Sequence, residues 1–113
     1  MMERPSRLVR SGDCVFDREQ LSHSFGYQEL DAVGQEAFVN HIHFEGENRE
    51  HQAKELVQDW IEELREKWPQ DRFRIYWCEG ESEITVRFHR VRAGIPNWYD
   101  SGLPHVRVID VAA

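Results

Sequence analysis

The chain has 113 residues, of which 40% are apolar and 31% charged, with thirteen aromatics and a formal net charge of −7. That composition is too apolar for a disordered chain, and the length suffices to bury a core without staples. The negative charge disfavours loose binding to nucleic acid, itself a polyanion, and no apolar run approaches the roughly 18 residues of a membrane span.

One domain is expected over 1–113, with flexibility allowed in 1–12. The cysteines, Cys14 and Cys78, are too few and too far apart for a disulfide-stapled secreted domain, and both read as free thiols. The first residues hold no apolar signal-peptide stretch, so cytoplasm is the expected compartment.

In chain order, Arg7–Phe16 suggests a strand interrupted near Gly12. Asp17–His23 suggests a short helical turn capped by Asp17. Tyr27–Val33 is placed opposite Ala37–Glu45 around Gly34. Ala37–Glu45 alternates, with Phe38, Ile42 and Phe44 on one side and Val39, His41 and His43 on the other, as a half-wet strand does.

Asn48–Trp68 predicts one amphipathic helix. Ala53, Leu56, Val57, Trp60, Ile61, Leu64 and Trp68 share a face on the 3.6-residue period. Asn48 is the expected N-cap, Glu50 and Lys67 suit the helix dipole at either end, and Pro69 stops the helix. Arg72–Glu79 and Glu83–Arg92 alternate as strands, joined by a short Gly-containing link into a β-hairpin. Ala93–Pro104, rich in Gly and Pro, predicts a long loop, and His105–Val111 a last strand.

The expected fold is therefore α+β: an antiparallel sheet of about four to six strands, order β-β-α-β-β-β, with one long helix on one face. Phe38, Ile42, Phe44, Phe73, Ile75, Trp77, Ile84, Val86 and Phe88 should face the helix. His41, His43, Arg74, Tyr76, Thr85, Arg87 and His89 should line the opposite face.

The outer helix face carries Glu55, Asp59, Glu62 and Glu66 within about 60° of arc at 100° per residue. Glu63 lies beside them. Glu55–Asp59 and Glu62–Glu66 are like-charge pairs one turn apart, each destabilising by roughly 0.2–0.5 kcal/mol before screening. A solvated charged face explains such a stripe, and so does a ridge that docks on a basic surface. Trp98 and Tyr99, in the long loop, are either anchors on the core or a partner-binding hot spot.

The mixture of His41, His43, Arg74, Tyr76, Arg87 and His89 gives an alternative ligand face able to stack rings or clamp anions, against the plainer reading of solvated sheet surface. His41-Ile42-His43 with Glu47 resembles one half of the cupin metal motif, H-x-H-x-x-x-E. The other half is missing, because a helix begins where a further strand should follow. Two histidines on a wet face read as polar surface, and neither metal nor cofactor is expected.

No P-loop, G-x-S-x-G or H-E-x-x-H occurs, and no thiol sits in a setting that would lower its pKa, so the sequence leans away from an enzyme. The expected function is a small acidic binding protein that masks a basic protein partner. In size and charge it resembles immunity proteins, antitoxins and phage-encoded inhibitors, although no shared motif supports the comparison. The alternative is a ligand-binding or catalytic module built on the histidine-rich face. Neither direct nucleic-acid binding nor membrane binding is expected. An exposed edge strand or the acidic face offers a seam for a homodimer.

Overall fold

A computed structural model describes residues 6–98 and 105–112. Two strands, β1 (Leu8–Ser11) and β2 (Cys14–Asp17), form an antiparallel hairpin. Gly12, at φ 60°, supplies the left-handed residue that its tight turn requires. Asp17 ends the hairpin and caps α1 (Arg18–Ser22), its carboxylate accepting from the Gln20 N–H. A 3-10 turn (Tyr27–Glu29) leads into α2 (Ala32–Val39), capped by Asp31. Then follow β3 (Ile42–Glu45), the long helix α3 (Arg49–Lys67), β4 (Phe73–Glu79), β5 (Glu83–Arg90) and β6 (Val106–Val111).

The last four strands form one antiparallel sheet in the order β3-β5-β4-β6. The fold is α+β, as expected, with α3 packed over β5 and β3. Ala53, Leu56, Val57, Trp60 and Leu64 of α3 are buried against Phe73, Ile75, Trp77, Ile84, Val86 and Phe88 of the sheet. Each large apolar side chain so buried stabilises by about 1.5–3 kcal/mol. The Trp60 ring meets Phe88 edge-on, with centroids 4.8 Å apart. Asn48 does precede α3, but its side chain makes no capping bond. No helix among the described residues is long and apolar enough to cross a membrane.

Three expectations in the N-terminal half are corrected. Ala37–Glu45 is not one strand: α2 runs to Val39, and only Ile42–Glu45 joins the sheet. Tyr27–Val33 is not its partner strand but a 3-10 turn and the start of α2. The order is accordingly β-β-α-α-β-α-β-β-β. Phe38, placed inward by alternation, is 42% exposed, and Val39, placed outward, is buried. The reason lies in α2's inner face, where Val33, Glu36, Ala37 and Asn40 point into the protein at helical spacing. Two of those four are polar, so apolar periodicity cannot reveal the helix.

Glu36 and Asn40 hold the hairpin to the main sheet. Glu36, fully buried, accepts the Val15 N–H at 2.8 Å and the Arg90 N–H at 2.9 Å. It also takes Arg92 through both terminal nitrogens, at 2.6 and 3.0 Å. Asn40 accepts the Asp17 N–H at 2.7 Å and donates to the carbonyls of Val15 and Phe88 at 2.9 and 3.4 Å. Buried backbone groups that no strand partners are satisfied in this way by two side chains.

Candidate functional site

The sheet and helix layers present two contrasting surfaces. The first is the outer side of α3, whose apolar face is committed to the core. Glu55, Glu62 and Glu66 are exposed there, and Asp59 is half-buried at the edge of a depression it shares with Arg7, Arg18 and Glu63. Glu55 meets His51 at 2.9 Å, and Glu62 accepts from the Gln58 amide at 3.1 Å, both within the same helix. Glu66 has no ion-pair or hydrogen-bond partner among the described residues.

Glu63, one position away from this ridge, behaves differently. Its carboxylate accepts the backbone N–H groups of Arg7 and Leu8 at 2.8 and 2.7 Å and the Ser6 hydroxyl at 3.0 Å, and it pairs with Lys67 at 3.0 Å. Partial burial pushes its pKa up, but these donors outweigh that and hold it below the usual carboxylate value. Glu63 is thus a clamp on the N-terminal strand. The sequence showed only that it lay beside the stripe.

The second surface is the sheet face away from α3. Cross-strand register places Thr85 beside His43 and Cys78, and Arg87 beside Tyr76 and, through it, Val108. His41 lies just before β3, its ring 5.1 Å from that of His43 and 5.7 Å from that of Phe38. This face is only partly wet. Part of it is covered by α2, and Trp98 lies over its centre, 5.1 Å from the Tyr76 ring. Tyr76 and His89 are completely buried.

Their burial is supported by hydrogen bonds. His89 Nδ1 lies 2.9 Å from the Arg90 carbonyl, so that nitrogen carries the proton. Nε2 then accepts from the Tyr76 hydroxyl at 2.9 Å and from the Trp98 N–H at 3.3 Å. Burial lowers the His89 pKa; the Arg90 carbonyl and Glu36 push it the other way without reversing that. His89 is therefore a neutral structural group holding the start of the long loop.

Arg87 is the unusual cation of this face. Arg7, Arg74, Arg90 and Arg92 each meet a carboxylate. Arg87 instead donates to the Ala37 carbonyl at 3.2 Å and stacks on Trp98, with its guanidinium carbon 4.1 Å from the ring centre. Its Nε is buried and has no hydrogen-bond partner among the described residues. Burial pushes its pKa down, partly offset by Cys78 and Tyr76. The face also carries carboxylates: Glu83 pairs with His43 and Asp110 with Arg74, each at 3.0 Å, and exposed Glu45 lies across from Glu83.

The candidates from sequence divide accordingly. Glu55, Asp59, Glu62 and Glu66 share one helix face. His41, His43, Arg74, Tyr76, Arg87 and His89 do share the opposite side of the sheet, but Tyr76 and His89 are interior groups rather than ligand-facing ones. Trp98 packs back onto that face while remaining 42% exposed, so it does not join the helix ridge. Tyr99 lies outside the described residues. Phe38 belongs to the sheet-face surface and was missed. The signal that could have found it is Asp31 three residues before Gly34, a helix-start pattern that turns Phe38 outward.

Among the described residues, no group of three or more His, Cys, Asp and Glu side chains could hold a metal ion. Both thiols are free, and burial pushes both up in pKa, away from the reactive thiolate. Comparison with protein-family models, with curated proteins and with solved structures gives no significant match.

Proposed function

We propose that this protein is a non-enzymatic binding module whose α3 ridge docks on a basic surface of a protein partner and masks it. The observation that carries this reading is the contrast between neighbouring carboxylates on one helix. Glu63 is bound to the backbone of the N-terminal strand, whereas Glu66, one turn of helix on, has no partner among the described residues. Glu55 and Glu62 are engaged from within α3. The like-charge spacing of the ridge costs a few tenths of a kcal/mol, roughly. A surface charge pattern that weakens its own helix is explained by complementarity to a partner, where opposite charge raises the association rate and selects against wrong partners.

The test is charge reversal at Glu55, Asp59, Glu62 and Glu66, each to Lys. The substitutions at exposed Glu55, Glu62 and Glu66 should each change unfolding stability by about 0.5 kcal/mol or less, and the variant should remain folded. Capture of a basic partner should be lost. Capture that survives with the fold intact rejects the ridge as the docking surface.

A further inference from the structure

We infer that the outer edge of β6 is a seam between two copies of this chain, which pair antiparallel across it into one continuous sheet. β6 ends the sheet order, with β4 on one side and, among the described residues, no strand on the other. α3 packs over the other half of the sheet, β5 and β3. One bond fixes which way the main-chain groups of β6 point. The Glu79 N–H donates to the His105 carbonyl at 3.0 Å, and these two residues continue the β4–β6 register. Antiparallel strands alternate bonded and unbonded pairs, so Arg107, Ile109 and Val111 turn their N–H and C=O groups toward β4. Val106, Val108 and Asp110 turn theirs outward, where no described residue meets them.

Such an edge is a template for another strand, and proteins blunt it with shortness, lysine, proline or a bulge. β3, the opposite edge, has only four residues. β6 has six, in an unbroken register with β4, and none of those devices. Its two charged side chains are taken within the chain, Arg107 by Glu79 at 2.9 Å and Asp110 by Arg74 at 3.0 Å. Val108, at the middle of the edge, is 41% exposed.

The strand fits a second copy of itself. A two-fold axis normal to the sheet sets two copies of β6 side by side and antiparallel, with each face of the sheet kept on its own side. Centred on Val108, it opposes Val108 to its own counterpart, Val106 to Asp110 and Arg107 to Ile109. No like charges are directly opposed, and Val106 and Val108 of both copies gather on the face away from α3. Centred on Arg107, the axis would oppose two guanidinium groups; centred on Ile109, it would set each Val108 beside an Asp110 carboxylate. The Val108 register makes about six main-chain hydrogen bonds across the seam. Both α3 helices then lie on the same side of the joined sheet with their acidic ridges outside the seam, so this pairing is independent of the ridge. A seam of one strand pair is small, and the dimer should dissociate in the micromolar range.

The experiment is analytical ultracentrifugation of the full chain between about 1 μM and 1 mM, the range that a small seam requires. Wild type should pass from monomer to dimer over that range. Val108→Lys opposes like charges at the two-fold axis, and Val108→Pro removes the central outward N–H. Each should weaken the dimer about tenfold or more. The exposed Val108 side chain and its outward N–H take no part in the β4–β6 ladder, so both variants should keep the wild-type circular dichroism. Val108→Cys should give a covalent dimer under mild oxidation, in a Cys78→Ser background because Cys78 lies diagonally across from Val108 on β4. Asp110→Cys in the same background should not, since it lies about 13 Å along the strand from its counterpart. A wild type that stays monomeric overturns the inference and leaves β6 to a strand of some other protein. So does a dimer that survives both Val108→Lys and Val108→Pro, or one that crosslinks through Asp110→Cys and not through Val108→Cys. The four-lysine ridge variant should still dimerise, which separates failure of the seam from failure of the ridge.

Discussion

Glu36 and Asn40 stand one turn apart on α2, and both bridge the β1–β2 hairpin to β5 of the main sheet. Glu36 joins the N–H groups of Val15 and Arg90, and Asn40 joins Val15 and Asp17 to Phe88. Two side chains thus stand where a further strand would have completed the hydrogen bonding.

Their removal should be costly for different reasons. Asn40→Ala orphans buried backbone groups on both sides, each worth about 1–3 kcal/mol, and should destabilise by roughly 2–4 kcal/mol in total. Glu36→Gln leaves the buried Arg92 guanidinium without its main counter-charge and should cost about 3–5 kcal/mol. Urea unfolding of both variants checks these values. A loss below about 1 kcal/mol in each would show that the hairpin is held chiefly by its apolar contacts.

Glu63 and Glu66 should separate cleanly. Glu63→Ala removes acceptors for two backbone N–H groups and should cost roughly 1–3 kcal/mol, whereas Glu66→Ala should stay within about 0.5 kcal/mol. Because the folded Glu63 pKa lies below its unfolded value, its contribution is full above pH 4.5 and is lost as pH falls through the folded value. Wild-type stability should therefore fall as pH drops below about 4.5, and that fall should be smaller in Glu63→Gln, which starts from a lower stability at neutral pH.

His89 gives a second pH dependence, nearer neutrality. Its folded pKa lies below the ordinary 6.5, so the unfolded chain takes up the proton first. The stabilisation is complete above pH 6.5 and declines as pH falls toward the folded value. Protonation would also force Nε2 to become a donor, ending its acceptance from Tyr76 and from the Trp98 N–H. Unfolding free energies should begin to fall as pH drops through 6.5, and the fall should shrink in His89→Gln.

What the sequence revealed follows from where apolar residues mark an element's face. Ala53 to Leu64 outline α3, and the alternations around Ile75 and Val86 outline β4 and β5, because those faces are almost wholly apolar. At α2 the inward positions are Glu36 and Asn40, so the same reading mistook a helix for a strand. The acidic ridge was legible because it needs only helical spacing. The roles of Glu63, Arg87 and His89 were not, since each depends on a partner brought close by the tertiary fold, such as Arg7, Trp98 and Tyr76. Phe38 was lost with α2, and the sheet-face surface was incomplete without it.

The central claim is that the ridge, rather than net charge in general, recognises a basic partner. Its most direct test pairs two charge-matched variants in affinity capture from the cells that make the protein, with mass-spectrometric readout. One carries lysine at Glu55, Asp59, Glu62 and Glu66. The other carries lysine at Glu29, Glu45, Glu47 and Glu81, all exposed and away from the ridge. The account predicts that wild type and the second variant retain the same basic protein and that the ridge variant loses it while remaining folded. Equal retention by the two variants, or equal loss, would contradict it.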